Sequence, residues 1–93
     1  KLAIVGDALY SSRYKAYLRE LSQNDRRIIF AGFVFGAGYI ELQSYPYCYI
    51  QATEVGGTHP ALIESMGFGN CVIANGTPEN IEVLGEAGMI YKK

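Results

Sequence analysis

Short, uninterrupted apolar segments alternate with segments of helical character along the whole chain. The predicted strands are residues 2–5, 27–31, 47–51, 71–74 and 89–91, which are apolar except for Arg27 and Gln51 at their ends. Strands that are apolar throughout, without alternating polar residues, are typical of parallel sheets that helices cover on both faces. The alternation of strands and helices therefore predicts an α/β fold, with a doubly wound parallel sheet and helices on both faces.

Four helices are predicted between these strands, at about residues 12–23, 39–44, 60–67 and 79–84. Thr77 is the predicted N-cap of the last helix, and Pro78 follows it in the first turn. Helical spacing gives the apolar side chains that we expect to face the core in the first two helices: Tyr14, Tyr17, Leu18 and Leu21, and then Tyr39, Ile40 and Leu42.

Composition and charge exclude several classes of function. Ninety-three residues with 49% apolar and 18% charged side chains fit one folded domain. The net charge of −1 gives no general attraction to nucleic acid or to anionic lipid. No apolar run approaches the ~20 residues of a membrane span. A single histidine and no clustered ligands argue against a zinc site, so no metal is expected.

The cysteines indicate the redox compartment of the protein, and the first residues indicate whether the chain is part of a larger protein. Cys48 and Cys71 each lie in an apolar run, and we expect two buried thiols in a reducing compartment. A disulfide between neighbouring strands stays open as the alternative. Lys1 is followed at once by strand-like sequence, so the start reads as a cut made inside a larger protein.

The segment E-V-G-G-T-H-P-A-L-I-E, residues 54–64, combines a glycine turn with the start of a helix. Gly56 and Gly57 follow an apolar strand, and Thr58 leads into the helix that begins at Pro60. Free backbone N–H groups at the positive end of a helix dipole form an anion site. Two glycines let a ligand approach the backbone without a Cβ in the way. The segment therefore predicts a site for phosphate or another anion.

The cations of the chain are unevenly distributed. No lysine or arginine lies between residues 28 and 91. A diphosphate bound at the glycine turn must therefore be neutralised by the helix terminus, by cations that folding brings close, or by residues that this chain lacks.

Four stretches together resemble a known family. They are I-V-G-D, I-I-F-A-G-F-V, T-E-V-G-G-T-H-P-A-L-I-E-S-M-G-F-G-N-C-V-I-A-N and P-E-N-I-E-V-L-G-E-A-G. The whole chain resembles the C-terminal half of GT-B glycosyltransferases of the family four (glycosyl transferases group 1) type. The V-G-G-T-x-P version is most similar to the rhamnosyltransferase-like branch. The resemblance implies that residues 1–93 are a partial C-terminal nucleotide-sugar-binding domain, Rossmann-like and lacking its first strand.

The resemblance assigns roles around the glycine turn. The family carries two glutamates separated by seven residues. The second corresponds to Glu64, which is expected to bond the ribose hydroxyls of the donor, whereas Gly56 occupies the place of the first. Glu54 lies two residues too early and could touch the donor sugar only if the loop is rearranged. Gly56, Gly57 and Thr58 are expected to offer backbone N–H groups to the diphosphate.

The remaining implied contacts each have a structural alternative. His59 is expected to cap the helix or to reach a phosphate. Phe33 and Val34 correspond to the place where backbone atoms meet the base, but Phe33 and Phe35 could equally be packing residues. Gly6 could border the nucleotide cleft or belong only to a turn.

The implied function is that of the donor-nucleotide-binding part of a retaining glycosyltransferase. A nucleotide-sugar is then a substrate rather than a cofactor, and no cofactor or metal is expected. A sugar or lipid-linked acceptor would bind to a missing N-terminal domain, in a cytoplasmic protein of polysaccharide biosynthesis held at the inner face of the membrane by its other parts. The chain alone is expected to be inactive, and to associate through the unpaired edges of strands 2–5 and 47–51.

Two other classes of protein remain as alternatives. One is a non-catalytic nucleotide-binding or structural α/β module, in which Gly56 has replaced a glutamate of the site. The other is an unrelated flavodoxin-like or receiver-like domain. A receiver needs clustered aspartates at strand ends, and this chain has only Asp7 and Asp25.

Overall fold

The structure, a computed structural model, describes residues 1–6, 11–54 and 60–92. Strands and helices alternate over these residues in the order β1 (Leu2–Val5), α1 (Ser12–Leu21), β2 (Ile28–Gly32), α2 (Ala37–Ser44), β3 (Tyr49–Gln51), α3 (Pro60–Gly67), β4 (Val72–Asn75), α4 (Pro78–Leu84) and β5 (Met89–Tyr91). The α/β class is confirmed, and the ends of the predicted elements agree within about two residues.

The strands pair in parallel, as the apolar runs predict. β1 pairs with β2, and β4 lies between β3 and β5 in a second sheet. The described strands thus form one two-stranded and one three-stranded parallel sheet. The chain divides into two compact units, residues 1–38 and 39–93, and each is described here by itself.

In the first unit, helix α1 buries none of its side chains. The prediction that its apolar face would be covered is wrong: Tyr14, Tyr17 and Leu21 are exposed. A two-stranded sheet offers too little apolar surface to cover a ten-residue helix. The side chain of Arg19 lies over the ring of Phe30, 4.7 Å from its centroid, and this cation–π contact joins the helix to β2.

In the second unit, the core surrounds β4. Its fully buried apolar side chains come from α3, β4 and α4, and are Leu62, Val72, Ala74 and Leu84. Tyr49, Met66 and Val83 pack against them at its margin. The central strand of the three-stranded sheet is therefore the best-covered part of the unit.

Helix α2 has a different buried face from the one predicted. Ile40 and Leu42 are exposed, Tyr39 is half-buried, and the buried residue of the helix is Gln43. Its side-chain amide bonds to Tyr39 and Asn70, and a buried polar group that is fully hydrogen-bonded carries little penalty. Hydropathy alone could not reveal this.

The cysteines are free, as expected, but they are not both buried. Cys48 is half-buried and Cys71 is exposed. Each lies just before a strand rather than within one, where side chains are less covered. Within the described residues, none of the helices has the length and apolar character needed to cross a lipid bilayer.

The predicted cap of α4 is confirmed. The Thr77 hydroxyl accepts a hydrogen bond from the backbone N–H of Asn80 at 3.2 Å, and Pro78 occupies the first turn. Replacing Thr77 with alanine should therefore lower the free energy of unfolding by about 1 kcal/mol. Serine keeps the hydroxyl and should restore most of the loss. Urea unfolding of the two variants measures both effects, and equal stability of alanine and serine variants would contradict the capping role.

Candidate functional site

The predicted anion site lies between β3 and α3. β3 ends at Gln51 and α3 begins at Pro60, so residues 52–59 lead from the carboxyl end of a parallel strand to a helix N-terminus. The residues predicted to hold the diphosphate, Gly56, Gly57, Thr58 and His59, lie outside the described residues. Their phosphate contacts stay a prediction.

Glu64 lies on α3, one helical turn beyond Pro60, and its side chain is exposed. The hydroxyl of Tyr39 donates a hydrogen bond to Oε2 of this carboxylate at 2.6 Å. A short bond to an ionised acceptor is among the stronger hydrogen bonds in proteins. The carboxylate is thus oriented by a residue of α2, and the contact occupies one of its two oxygens.

A polar cluster supports Tyr39 from inside the unit. The Gln43 amide Nε2 donates to the Tyr39 hydroxyl at 3.1 Å. The Asn70 amide Nδ2 shares its two N–H groups among three acceptors, the backbone oxygen of Gln43 at 2.8 Å, Ser65 Oγ at 2.9 Å and Gln43 Oε1 at 3.2 Å. Gln43 and Ser65 are buried. The described buried side chains leave no polar atom without a partner.

The environment keeps the Tyr39 phenol protonated. Partial burial raises the pKa of Tyr39, and the hydrogen bond to Glu64 raises it further because a carboxylate disfavours a second negative charge nearby. Burial also raises the pKa of Tyr49, with smaller contributions from Tyr39 and Glu64. Phenols are protonated at physiological pH, and these shifts extend to higher pH the range in which both act as hydrogen-bond donors.

A second polar cluster fixes the carboxyl ends of β3 and β4. Tyr49 donates to Gln51 Oε1 at 2.7 Å, and Gln51 Nε2 donates to the Thr53 hydroxyl at 3.1 Å. Asn75 Nδ2 donates to the Thr53 backbone oxygen at 3.1 Å, and Asn80 Nδ2 to the Asn75 backbone oxygen at the same distance. The chain is therefore anchored as far as Thr53, just before the glycine turn.

Glu54 follows this anchored stretch directly and is exposed. Its place next to Thr53 puts it at the carboxyl edge of the three-stranded sheet. Its role toward a donor sugar stays a prediction.

The site residues predicted in the first unit lie after β1 and β2. Gly6 has φ +114°, a conformation that favours glycine, and its N–H donates to the Gly32 oxygen at 2.6 Å. The ring of Phe33 stacks on that of Phe35, with centroids 5.9 Å apart, and both rings are exposed. Val34 is half-buried. The positive φ of Gly6 and the stacking of Phe33 on Phe35 are observed, and the contacts of both residues with a nucleotide stay predictions.

A cavity of about 320 Å³ in the first unit lies at the amino ends of β1 and β2, and Lys1, Leu2, Asp25, Arg27 and Ile28 line it. Arg27 there forms a two-pronged salt bridge with Asp25, at 3.0 and 2.9 Å. This hydrogen-bonded pair lowers the pKa of the Asp25 carboxyl. Because the guanidinium already has its carboxylate partner, this cavity is a poor candidate for the anion site.

The structure is also informative about metals. Over residues 1–6, 11–54 and 60–92, no three His, Cys, Asp or Glu side chains come together as a metal site would require.

Comparison of the chain with protein-family models, with characterised proteins and with solved structures gives no match.

Sequence reasoning found Glu64 but missed the residues that orient it. The sequence predicts Tyr39 only as an inward-facing apolar side chain and gives no role to Gln43 or Asn70. The one available signal was the four-residue spacing of Tyr39 and Gln43 on a predicted helix, which brings two side chains together. Glu64 is 25 residues further along the chain, so that contact has no local signature.

Proposed function

We propose that this chain is the donor-nucleotide-binding part of a retaining glycosyltransferase. The observation that carries the proposal is Glu64, an exposed carboxylate one turn into the helix that follows a parallel strand. In the sequence, the glycine pair Gly56-Gly57 lies between that strand and the helix. The Tyr39 hydroxyl donates a hydrogen bond of 2.6 Å to Glu64 Oε2 and so orients the carboxylate. A carboxylate held in one orientation is a suitable acceptor for sugar hydroxyls.

The strand pairings support a doubly wound, Rossmann-like sheet. In such a sheet of strand order 3-2-1-4-5-6, the strands other than the first form a pair, 2 and 3, and a triplet, 4, 5 and 6. The observed pairings are β1 with β2, and β3 with β4 and β5. If β1 corresponds to the second strand of the full sheet, every observed neighbour is accounted for.

In this proposal, different groups of the protein bind different parts of the nucleotide-sugar donor. Glu64 accepts hydrogen bonds from the ribose, and the amino end of α3 with Gly56, Gly57 and Thr58 attracts the diphosphate. The diphosphate is the leaving group, so stabilising its charge favours the transition state. Because no lysine or arginine lies between residues 28 and 91, further neutralisation must come from cations elsewhere.

The rest of the proposal concerns the whole protein. Its acceptor, a sugar or a lipid-linked sugar, binds to a separate domain, and its reaction belongs to polysaccharide assembly at the cytoplasmic face of the membrane. Neither nucleic acid nor a metal cofactor takes part.

Replacing Glu64 with alanine tests the nucleotide site. In the intact glycosyltransferase, the donor should bind about 1.5–3 kcal/mol more weakly, the contribution of a hydrogen bond to a charged group. Calorimetric titration with the donor nucleotide measures the change. Glu82, an exposed glutamate on α4, provides the matched control, and Glu82→Ala should bind normally. An unchanged dissociation constant for Glu64→Ala would remove Glu64 from the site.

A non-catalytic nucleotide-binding module is the second candidate, and one observation favours it. Gly56 stands eight residues before Glu64, where the family that the chain resembles has its sugar-contacting glutamate. Such a module would bind nucleotide without transferring sugar. Sugar transfer by the intact protein, measured by release of nucleoside diphosphate, separates the two candidates.

A further inference from the structure

The hydrogen bonds that lead to Glu64 form a series in which each side chain donates to the next. Asn70 donates to Gln43 Oε1, Gln43 Nε2 donates to the Tyr39 hydroxyl, and that hydroxyl donates to Glu64 Oε2. This series of hydrogen bonds begins at the half-buried amide of Asn70 and ends at the exposed carboxylate of Glu64. Hydrogen bonds aligned in this way polarise and strengthen one another.

The direction of this series of hydrogen bonds follows from which atoms of each side chain can donate and which can accept. Asn70 must present its amide nitrogen, because it meets the backbone oxygen of Gln43 as well as Ser65 Oγ. Gln43 then presents its oxygen to Asn70 and its nitrogen to Tyr39. A phenol has one proton to donate, and since its oxygen accepts from Gln43, that proton is left for Glu64.

We propose that Tyr39 is a positioning residue, which holds the Glu64 carboxylate through Oε2 so that Oε1 can accept hydrogen bonds from the neighbouring hydroxyls of a ribose. The inference rests on the proposed function, because it assumes that Glu64 is the ribose acceptor. The ligand class is a nucleotide whose sugar carries a vicinal diol.

The physical effect of this contact is preorganisation. A free glutamate side chain populates many rotamers, and binding must select one of them at an entropic cost. Tyr39 sits on α2, is itself fixed by Gln43, and restricts the carboxylate before a ligand arrives. A phenol is protonated at physiological pH, and burial and the nearby carboxylate, which raise the pKa of Tyr39, extend that state to higher pH.

The first test compares nucleotides with and without the diol. The intact protein is titrated with ADP, GDP, CDP and UDP and with their 2′,3′-dideoxy analogues, and binding is measured by calorimetry. The wild-type chain should prefer at least one ribonucleotide. Tyr39→Phe should weaken the binding of that ribonucleotide roughly 3- to 10-fold, the range expected for one hydrogen bond. The binding of its dideoxy analogue should be unchanged. Tyr47→Phe removes a hydroxyl from a fully exposed ring and should behave as wild type.

The outcomes separate this inference from the function on which it rests. If the wild type binds both nucleotide forms equally, or binds neither, the ribose site at Glu64 is wrong and the inference falls with it. If Glu64→Ala abolishes the preference for ribose but Tyr39→Phe retains it in full, the proposed function stands and the positioning role is overturned. Equal weakening of both nucleotide forms by Tyr39→Phe would indicate a structural role only, and would also overturn the inference.

A second readout needs no nucleotide. Three-bond couplings in the Glu64 side chain should report one dominant rotamer in the wild type and averaging in Tyr39→Phe. Glu64→Gln should lower the pKa of Tyr39, followed through its ring carbon signals, because the carboxylate helps to raise it. Unchanged couplings in Tyr39→Phe would overturn the positioning role whatever the binding results.

Discussion

Replacing Leu62 with alanine should lower the free energy of unfolding by about 2–5 kcal/mol. Leu62 is 0% exposed and lies on α3 against Val72, Ala74 and Leu84, the other fully buried apolar side chains of the described chain. Truncation loses the transfer free energy of three carbons and leaves a cavity in a core with few other members. A domain of this size is stable by only about 5–15 kcal/mol, so the loss is a large part of the total.

The next residue of the same helix provides the control. Ile63 is 50% exposed, and Ile63→Ala removes the same number of carbons. Its effect should be about 1 kcal/mol or less, because half of the side chain is already in water. Urea unfolding of both variants, followed by circular dichroism, makes the comparison. Equal losses would mean that α3 does not pack on β4 through Leu62.

Replacing Gly88 with alanine should destabilise the second unit by about 2–3 kcal/mol, through overpacking rather than through a cavity. An added Cβ would lie 2.7 Å from the backbone oxygen of Val72 and 2.9 Å from Leu84 Cδ1. A side chain could rotate away, but the Val72 oxygen belongs to the central strand of the sheet. The added methyl therefore has to displace either β4 or the turn before β5.

Gly67 provides the control for that substitution. It ends α3, and a Cβ there meets nothing within 4 Å. Gly67→Ala should be neutral or stabilising by about 0.4–1 kcal/mol, because alanine restricts the unfolded chain. Chemical unfolding of both variants gives the two values. If the unfolding midpoint of Gly88→Ala equals that of the wild type, the turn before β5 can shift to accept the added methyl group without loss of stability.

Much of the fold follows from short-range patterns. Continuous apolar runs predict parallel strands because only strands covered on both faces tolerate them, and β4 has that character. The cap of α4 is equally local, since Thr77 reaches a backbone group three residues away. These features depend on neighbours within one turn or one strand, which a sequence displays directly.

Features that depend on distant partners could not be predicted in the same way. Gln43 is buried because Asn70, 27 residues away, satisfies its amide, while the apolar Ile40 and Leu42 of the same helix remain exposed. For α1 the periodicity indicates an apolar face, but the available sheet is too small to cover it. At the candidate site, the identity of Glu64 is visible in the sequence, whereas its orientation depends on Tyr39 in another helix.

The polar cluster that orients Glu64 and the apolar core share the same short helix. Leu62 and Ser65 of α3 are buried, and Glu64 lies between them on its exposed side. A substitution that shifts α3 on the core would also shift the Glu64 carboxylate, which is proposed to accept hydrogen bonds from a ligand. If Glu64 binds a ligand as proposed, core substitutions in α3 should change both the stability of this unit and the affinity for that ligand. Sequence change should be tolerated more readily in α1, which buries no side chain, than in α3.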